Sequence, residues 1–380
     1  WSGRSSSIGE KVLPEFPVND VQSLTVNNGS TTAEIAKTDE KWQVANRYGY
    51  PADFGKIKQN LMKLRNIKIG QSFTVSPEDY GQLHVQKPDD KGDKSTTGIQ
   101  LLCKNSKGDT LADLVLGKKH RAKSDGGMMP MMAAGSVGRY IRVADYQGGP
   151  ERTVLVSESF RQVSADPTDW LDPEFVEIKN PETITLQDTS DGSSWKLQKN
   201  EEGNWKLAGI KKGYKLKDTV VRRLARAFKR ADFEDVASPS TADEATGLNK
   251  PKVLTYVTED KVRYTLRLGK EAEDKDGYYM RIYASYVGPD KKAGEKKEEG
   301  KGDAEKNDEQ KSDNEKSVAE LKKKVKTINS KYGEWTYIIP TRTAKSVLKA
   351  RDDLVEKKNK DKNEEAGKAK SDSSSSSNTD

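Results

Sequence analysis

Two histidines (His84 and His120), one cysteine (Cys103) and two Ser-x-x-Lys spacings (Ser193 to Lys196 and Ser346 to Lys349) are the residues whose types could carry nucleophilic, acid–base or metal chemistry. A catalytic or ligating histidine needs a partner at fixed spacing. No His-x-x-x-His, Ser/His/Asp or nucleophile-elbow pattern accompanies either one, so both are expected to be structural or solvated. Cys103 alternates with Ile99 and Leu101, which places it on a strand as a small core hydrophobe. A lone cysteine also excludes an intramolecular disulfide and a thiolate zinc cluster. The Ser-x-x-Lys pairs, with Ser312-Asp313-Asn314, imitate part of a penicillin-binding signature. The imitation fails, because Lys-Thr-Gly is absent, Ser193 falls at a hairpin turn and Ser-Asp-Asn sits in a charged low-complexity stretch. Gly300-Lys301 is followed by Gly302, so it is no phosphate loop. The chain reads as a non-enzyme, with no catalytic residue, cofactor or metal expected.

Two surface features have other chemistry. Met128, Met129, Met131 and Met132 crowd one loop. Thioethers suit Cu(I), but a pliable apolar loop touching a partner, a lipid surface or the second copy is the preferred expectation. Arg222, Arg223, Arg226, Lys229 and Arg230 lie off the apolar stripe of a helix and follow Lys211, Lys212, Lys215 and Lys217. Such a face is either solvated or a contact for an anionic membrane surface or envelope polymer. Nucleic acid is not expected, since no aromatic residues interleave with the charges.

What positions these residues is legible from composition and repetition. The 380 residues hold 67 Lys+Arg against 60 Asp+Glu, a net charge of +7, with 33% charged and 32% hydrophobic residues. A mean hydropathy of −0.92 is too polar for one large core, while 6 Trp, 14 Tyr and 7 Phe argue against a wholly disordered chain. No run is long and apolar enough for a membrane helix.

The chain compares with itself. Trp42 matches Trp205, Asn28-Gly29 matches Asp191-Gly192, and Lys87-Pro88 matches Lys250-Pro251, all 163 residues apart. Tyr80-Gly81-x-Leu83 resembles Thr246-Gly247-Leu248 with a slip. Residues 112–117 match 264–269 at 152, 138–143 match 277–282 at 139, and 153–156 match 336–339 at 183. Order kept across these blocks implies two copies, residues 18–172 and 181–357, with a charged insertion at 289–331 in the second. Residues 1–17 read as a tether and 358–380 as a disordered tail. The chain opens at Trp1 without a Met, so an upstream segment is expected to have been removed.

Each copy opens with alternating segments split by turns, such as Ile184 to Leu186, Trp195 to Leu197 and Trp205 to Leu207, the pattern of antiparallel strands. A helix follows. Asp53 caps the first, with Ile57, Leu61 and Leu64 inward; Asp218 caps the second, with Val220, Val221, Leu224 and Phe228 inward. Next come strands Ile99 to Cys103, Leu111 to Leu116 and Arg139 to Val143, with counterparts Val253 to Val257, Val262 to Leu268 and Tyr278 to Tyr283. A last strand leads to a closing helix; in copy two it starts at Thr341 or Thr343 and buries Val347, Leu348, Ala350, Leu354 and Val355. The insertion is a near-neutral disordered loop from Asp290 to Lys316, then a short amphipathic helix from Ser317 to Ile328 that either docks on copy two, the preferred expectation, or binds a partner. The fold class expected is α+β: two duplicated domains, each a mostly antiparallel sheet with two helices.

This block order, with Gly247-Leu248-Asn249-Lys250-Pro251, Leu266-Arg267-Leu268-Gly269 and Gly277-Tyr278-Tyr279-Met280-Arg281, resembles the bacterial family called domain of unknown function 4340. The opening stretch from Gly9 to Val21 resembles the start of the soluble part of such proteins. The resemblance implies an extracytoplasmic envelope protein, held by an N-terminal membrane helix absent from this chain and sometimes encoded near transporter components linked to gliding motility. It implies no catalytic residue. The expected function is therefore that of a non-catalytic accessory protein acting by protein–protein contact. The alternative is a binding module for anionic membrane or polymer through the basic helix.

Overall fold

The computed structural model describes residues 8–88, 95–121, 137–289 and 304–358, with the side chains of Arg121, Val137 and residues 304–316 left out. Two units divide it. Unit one takes in Trp1–Glu174 and Asp235–Pro239; unit two takes in Phe175–Glu234 and Ser240–Asp380.

Alternation builds the first sheet. In β1 (Ser23–Asn27) Leu24 and Val26 are buried, and β2 (Thr32–Thr38) sets Ile35 and Ala33 directly opposite them. The turn between them closes on Asn28, whose Oδ1 accepts from the amides of Ser30 and Thr31 at 2.9 Å each. Gly29 takes φ +82° there. Next come β3 (Lys41–Val44), β4 (Tyr50–Pro51), α1 (Phe54–Asn66), β5 (Gln71–Phe73), β6 (Ile99–Lys104), β7 (Thr110–Arg121), β8 (Val137–Asp145) and β9 (Arg152–Val156). They form one sheet in the order β4-β3-β2-β1-β6-β7-β8-β9-β5. As expected, Asp53 caps α1, accepting from Lys56 N at 2.9 Å, and Ile57, Leu61 and Leu64 are buried. Trp170 is fully buried beside α1; its Nε1 donates to Ser164 O at 2.8 Å and Lys56 lies over its ring.

Unit two contains β10 (Pro181–Asp188), β11 (Ser194–Lys199), β12 (Trp205–Leu207), β13 (Tyr214–Leu216) and α2 (Asp218–Arg226). The two-residue β14 (Asp235–Val236) groups with unit one. Then come α3 (Asp243–Thr246), β15 (Lys252–Thr258), β16 (Val262–Glu271), β17 (Gly277–Tyr286), α4 (Ala304–Tyr332), β18 (Tyr337–Pro340), α5 (Thr341–Val347) and β19 (Val355–Lys357). Within unit two the strands of the sheet run β12-β11-β10-β15-β16-β17-β18, the same succession as β3-β2-β1-β6-β7-β8-β9. Both sheets break register at matching points, between Leu116 and Lys119 and between Leu268 and Glu271. The class is α+β with mostly antiparallel sheets.

Several details differ from expectation. The strand matching Ile99 to Cys103 is Lys252–Tyr256, not Val253 to Val257. Ile99 pairs with Leu116 and Lys252 with Leu268, and one residue of slip would turn the apolar side out. Asp218 is inside α2, not its cap. Lys217 holds the cap position without a side-chain bond, and the Asp218 charge favours the helix start electrostatically. The closing helix of unit two stops at Val347; Leu354 sits in a 3-10 turn and Val355 joins β19, paired to Leu216. In unit one the closing element is a 3-10 turn over Pro167–Trp170, capped by Asp166.

The insertion helix is longer than expected. It begins at Ala304, inside the stretch read as disordered. Residues 304–316 are mostly Lys, Glu, Asp, Gln and Asn; the first two and Gln are strong helix formers, and such a run extends a helix already anchored at its C-terminal end. The anchor is concrete. β18 covers β17 only from Gly277 to Met280. Beyond it, Asn329 accepts from Ala284 N at 2.7 Å and donates to Ala284 O at 2.9 Å, acting as a one-residue strand. Lys324 pairs with Asp260 at 2.8 Å, and Tyr332 packs with Phe175 and Tyr337.

Candidate functional site

In unit one, residues 83–85 lie directly on the sheet. A Cβ on Gly117 would meet Leu83 O at 2.5 Å, and one on Gly98 would meet His84 O at 2.6 Å, so only glycine admits this approach. His84 ends a 3-10 helix in the left-handed region, at φ +54°. Nearby, the broken register leaves the carbonyls of Leu116 and Gly117 facing Arg139. Its Nε donates to Gly117 O at 2.8 Å, its Nη2 to Leu116 O at 3.2 Å and its Nη1 to Ser159 O at 3.2 Å. Arg139 is 7% exposed. Burial lowers its pKa to about 10, which leaves it cationic at neutral pH. A cleft of about 290 Å³ opens here, with Asn28, Ser30, His84, Thr97 and Arg139 on its walls.

The carboxylates near the sheets are held by cations. Glu151 accepts from Tyr80 Oη at 2.7 Å and Arg142 Nε at 2.6 Å, with the guanidinium 4.1 Å from the Tyr80 ring centre. Burial alone would raise Glu151, but the bonds from Tyr80 and Arg142 outweigh it and set its pKa below the usual value. Bonds from Lys252 and Ser190 hold Asp188 down at about 2. Lys324 and Thr258 overcome burial to lower Asp260, and Ser193 lowers Asp191. Among the described residues each displaced carboxyl moves downward, the reverse of a tuned general acid.

The second sheet has two unlike faces. Trp195, Leu186, Leu254, Leu266 and Ile282 form a buried row across five strands. One residue further on, Lys196, Thr185, Thr255, Thr265 and Tyr283 form the opposite row, in which the three threonines are partly buried and Lys196 and Tyr283 exposed, Tyr283 at 57%.

Arg222, Arg223, Arg226, Lys229 and Arg230 are all exposed, while Val221, Leu224 and Phe228 turn inward. Among the described residues none of the five has an ion pair. Met128, Met129, Met131 and Met132 lie outside the described residues. Cys103 is fully buried, and burial pushes its thiol up to about 12, so it is an inert core residue. His120 touches the edge of Tyr140. Ser346 donates to Thr343 O rather than to a lysine. Sequence reading passed over Arg139, since within a matched block it looked like a repeat marker. The signal was that Tyr278 stands at the matching place in unit two.

Searches of curated proteins and of solved structures returned no match. The family model described as domain of unknown function (DUF4340) matches residues 42–251, from β3 in unit one to the residue before β15 in unit two. That stretch is more than half of the chain, and the chain belongs to the DUF4340 family.

Proposed function

We propose that this protein is a non-catalytic accessory protein of the cell envelope that works by protein–protein contact, with a transport or gliding-type assembly as the class of partner. It is extracytoplasmic and anchored by a membrane helix, as the family resemblance implies, and its two units arose by duplication. The observation that carries the reading is the open row of Lys196, Thr185, Thr255, Thr265 and Tyr283 on a sheet whose other face is sealed by apolar packing. Such a row is neither charged enough nor apolar enough to be plain solvent surface or core, and tyrosine is favoured at protein interfaces. The downward-shifted carboxylates support a structural use of the charges. A photo-crosslinking residue at Tyr283 in the full-length protein tests this in cells. It should capture one defined protein, with no capture from the exposed turn at Glu201. Capture of lipid or polymer alone, or of nothing, ends the reading.

A second reading rests on the five cations around α2, which have no ion pair among the described residues. They fit an anionic membrane surface or acidic envelope polymer. Co-sedimentation with phosphatidylglycerol vesicles at low salt, lost on R222E/R223E/R226E, would support it; no co-sedimentation would remove it.

A further inference from the structure

We propose that the cleft at Arg139 in unit one binds a small oxyanion, a phosphate or carboxylate group. Three observations converge on it. The first is an unbalanced charge. Arg139 as a residue is 7% exposed, its guanidinium bonds all go to neutral carbonyls, and no described residue supplies a carboxylate. A guanidinium has five N–H donors, so two remain beyond the three bonds to Gly117, Leu116 and Ser159. A buried cation without an anion is costly, and this one lies on the wall of an open cleft beside Ser30 and Thr97, whose hydroxyls can donate.

The second is the comparison with unit two. There the same break in register stands without an arginine: Tyr278 occupies the place and its hydroxyl reaches Glu271 at 3.3 Å. Bracing the sheet therefore does not require Arg139. The third is His84. Unit two turns the same corner with Gly247 at φ +72°, whereas unit one puts a side-chain-bearing residue at φ +54°. Strain of this kind concentrates at binding sites. The glycines that shape the framework are kept in both, Gly117 with Gly269 and Gly138 with Gly277, each allowing backbone to press on a strand. The framework is shared, and the cationic and imidazole groups are unit one's own.

The chain has only two histidines, which gives the test its own control. His120 contacts Tyr140, and residues 139 and 140 face opposite sides of β8. The full chain with carbon-13-labelled histidine rings would be titrated with inorganic phosphate, and separately with acetate, at fixed pH and ionic strength against chloride. The His84 signal should move saturably with one or both oxyanions, while the His120 signal stays. The arm that moves it names the group. R139M should weaken binding about tenfold or more, the effect of losing a charged hydrogen bond. R139K, which keeps the charge, should recover part of it; if R139M does not fold, R139K and the wild-type series decide alone. A stationary His84, an equal shift with chloride (an adventitious ion only), joint movement of both histidines, or unchanged affinity in R139M or R139K would each overturn the proposal.

Discussion

Asp188 is the last residue of β10, where it closes a turn and braces a strand. It accepts from the amide of Ser190 at 2.9 Å and pairs with Lys252 at 2.8 Å across the β10–β15 ladder. Its folded pKa of about 2 lies below the ordinary 3.8. The carboxylate therefore contributes stability above about pH 4, and that contribution is lost as pH falls toward 2. D188N should flatten the fall of the urea midpoint across this window relative to wild type; a parallel fall in both proteins would contradict it. Tyr256 offers a simpler case. It is buried and its hydroxyl donates to Leu224 O at 3.0 Å, so Y256F should cost about 1 kcal/mol in urea unfolding. At this scale the sequence was informative where one period decides the outcome, as for Cys103. It was silent on Arg139, because what makes that residue unusual is the lack of an anion around it, and its surroundings come from five separate segments.

Elements are held close by glycines that pattern reading treats only as repeat markers. A Cβ on Gly269 would lie 2.1 Å from Thr246 O. G269A should cost at least about 2–3 kcal/mol, the range for forcing atoms into a packed site. Gly108 is the contrast: its φ is +86° with nothing within 4 Å, so G108A should cost about 1 kcal/mol through backbone strain alone. Chemical denaturation of both variants checks the difference. The insertion helix makes the same point in reverse. Its apolar positions Val318, Leu321, Val325 and Ile328 were readable from spacing, and all are half-buried. Its polar hook was not, since an asparagine in a helix gives no hint that it will meet a strand edge. N329A should leave the helix in place and speed amide exchange at Ala284; unchanged exchange there would show that the hook holds nothing.

Over the whole molecule, the succession of strands along the chain was largely implied by the matched blocks, whereas their order within each sheet and the composition of unit one were not. Residues 235–239 belong to it although 60 residues of unit two, Phe175–Glu234, intervene. The tie is Asp235, 6% exposed at its side chain, whose oxygens accept from Arg47 Nε at 2.8 and 3.1 Å. Asp235 also accepts from Val236 N at 2.8 Å. D235A should lower the stability of the full chain by about 3 kcal/mol, because a half-buried guanidinium loses its anion; a change below about 1 kcal/mol would show the pair to be incidental. No periodicity announces such a return, since it depends on two charges 188 positions apart.

This return has a bearing on biosynthesis. A polypeptide delivered N-terminus first, from a ribosome or through a translocation pore, puts out everything up to Glu234 before the piece that completes its leading half is available. During that interval the Arg47 guanidinium lacks its carboxylate partner. The leading half must wait, nearly finished, for a short stretch made much later, and the pace of delivery between those two points sets how long it stays open to helpers, proteases or misplaced neighbours.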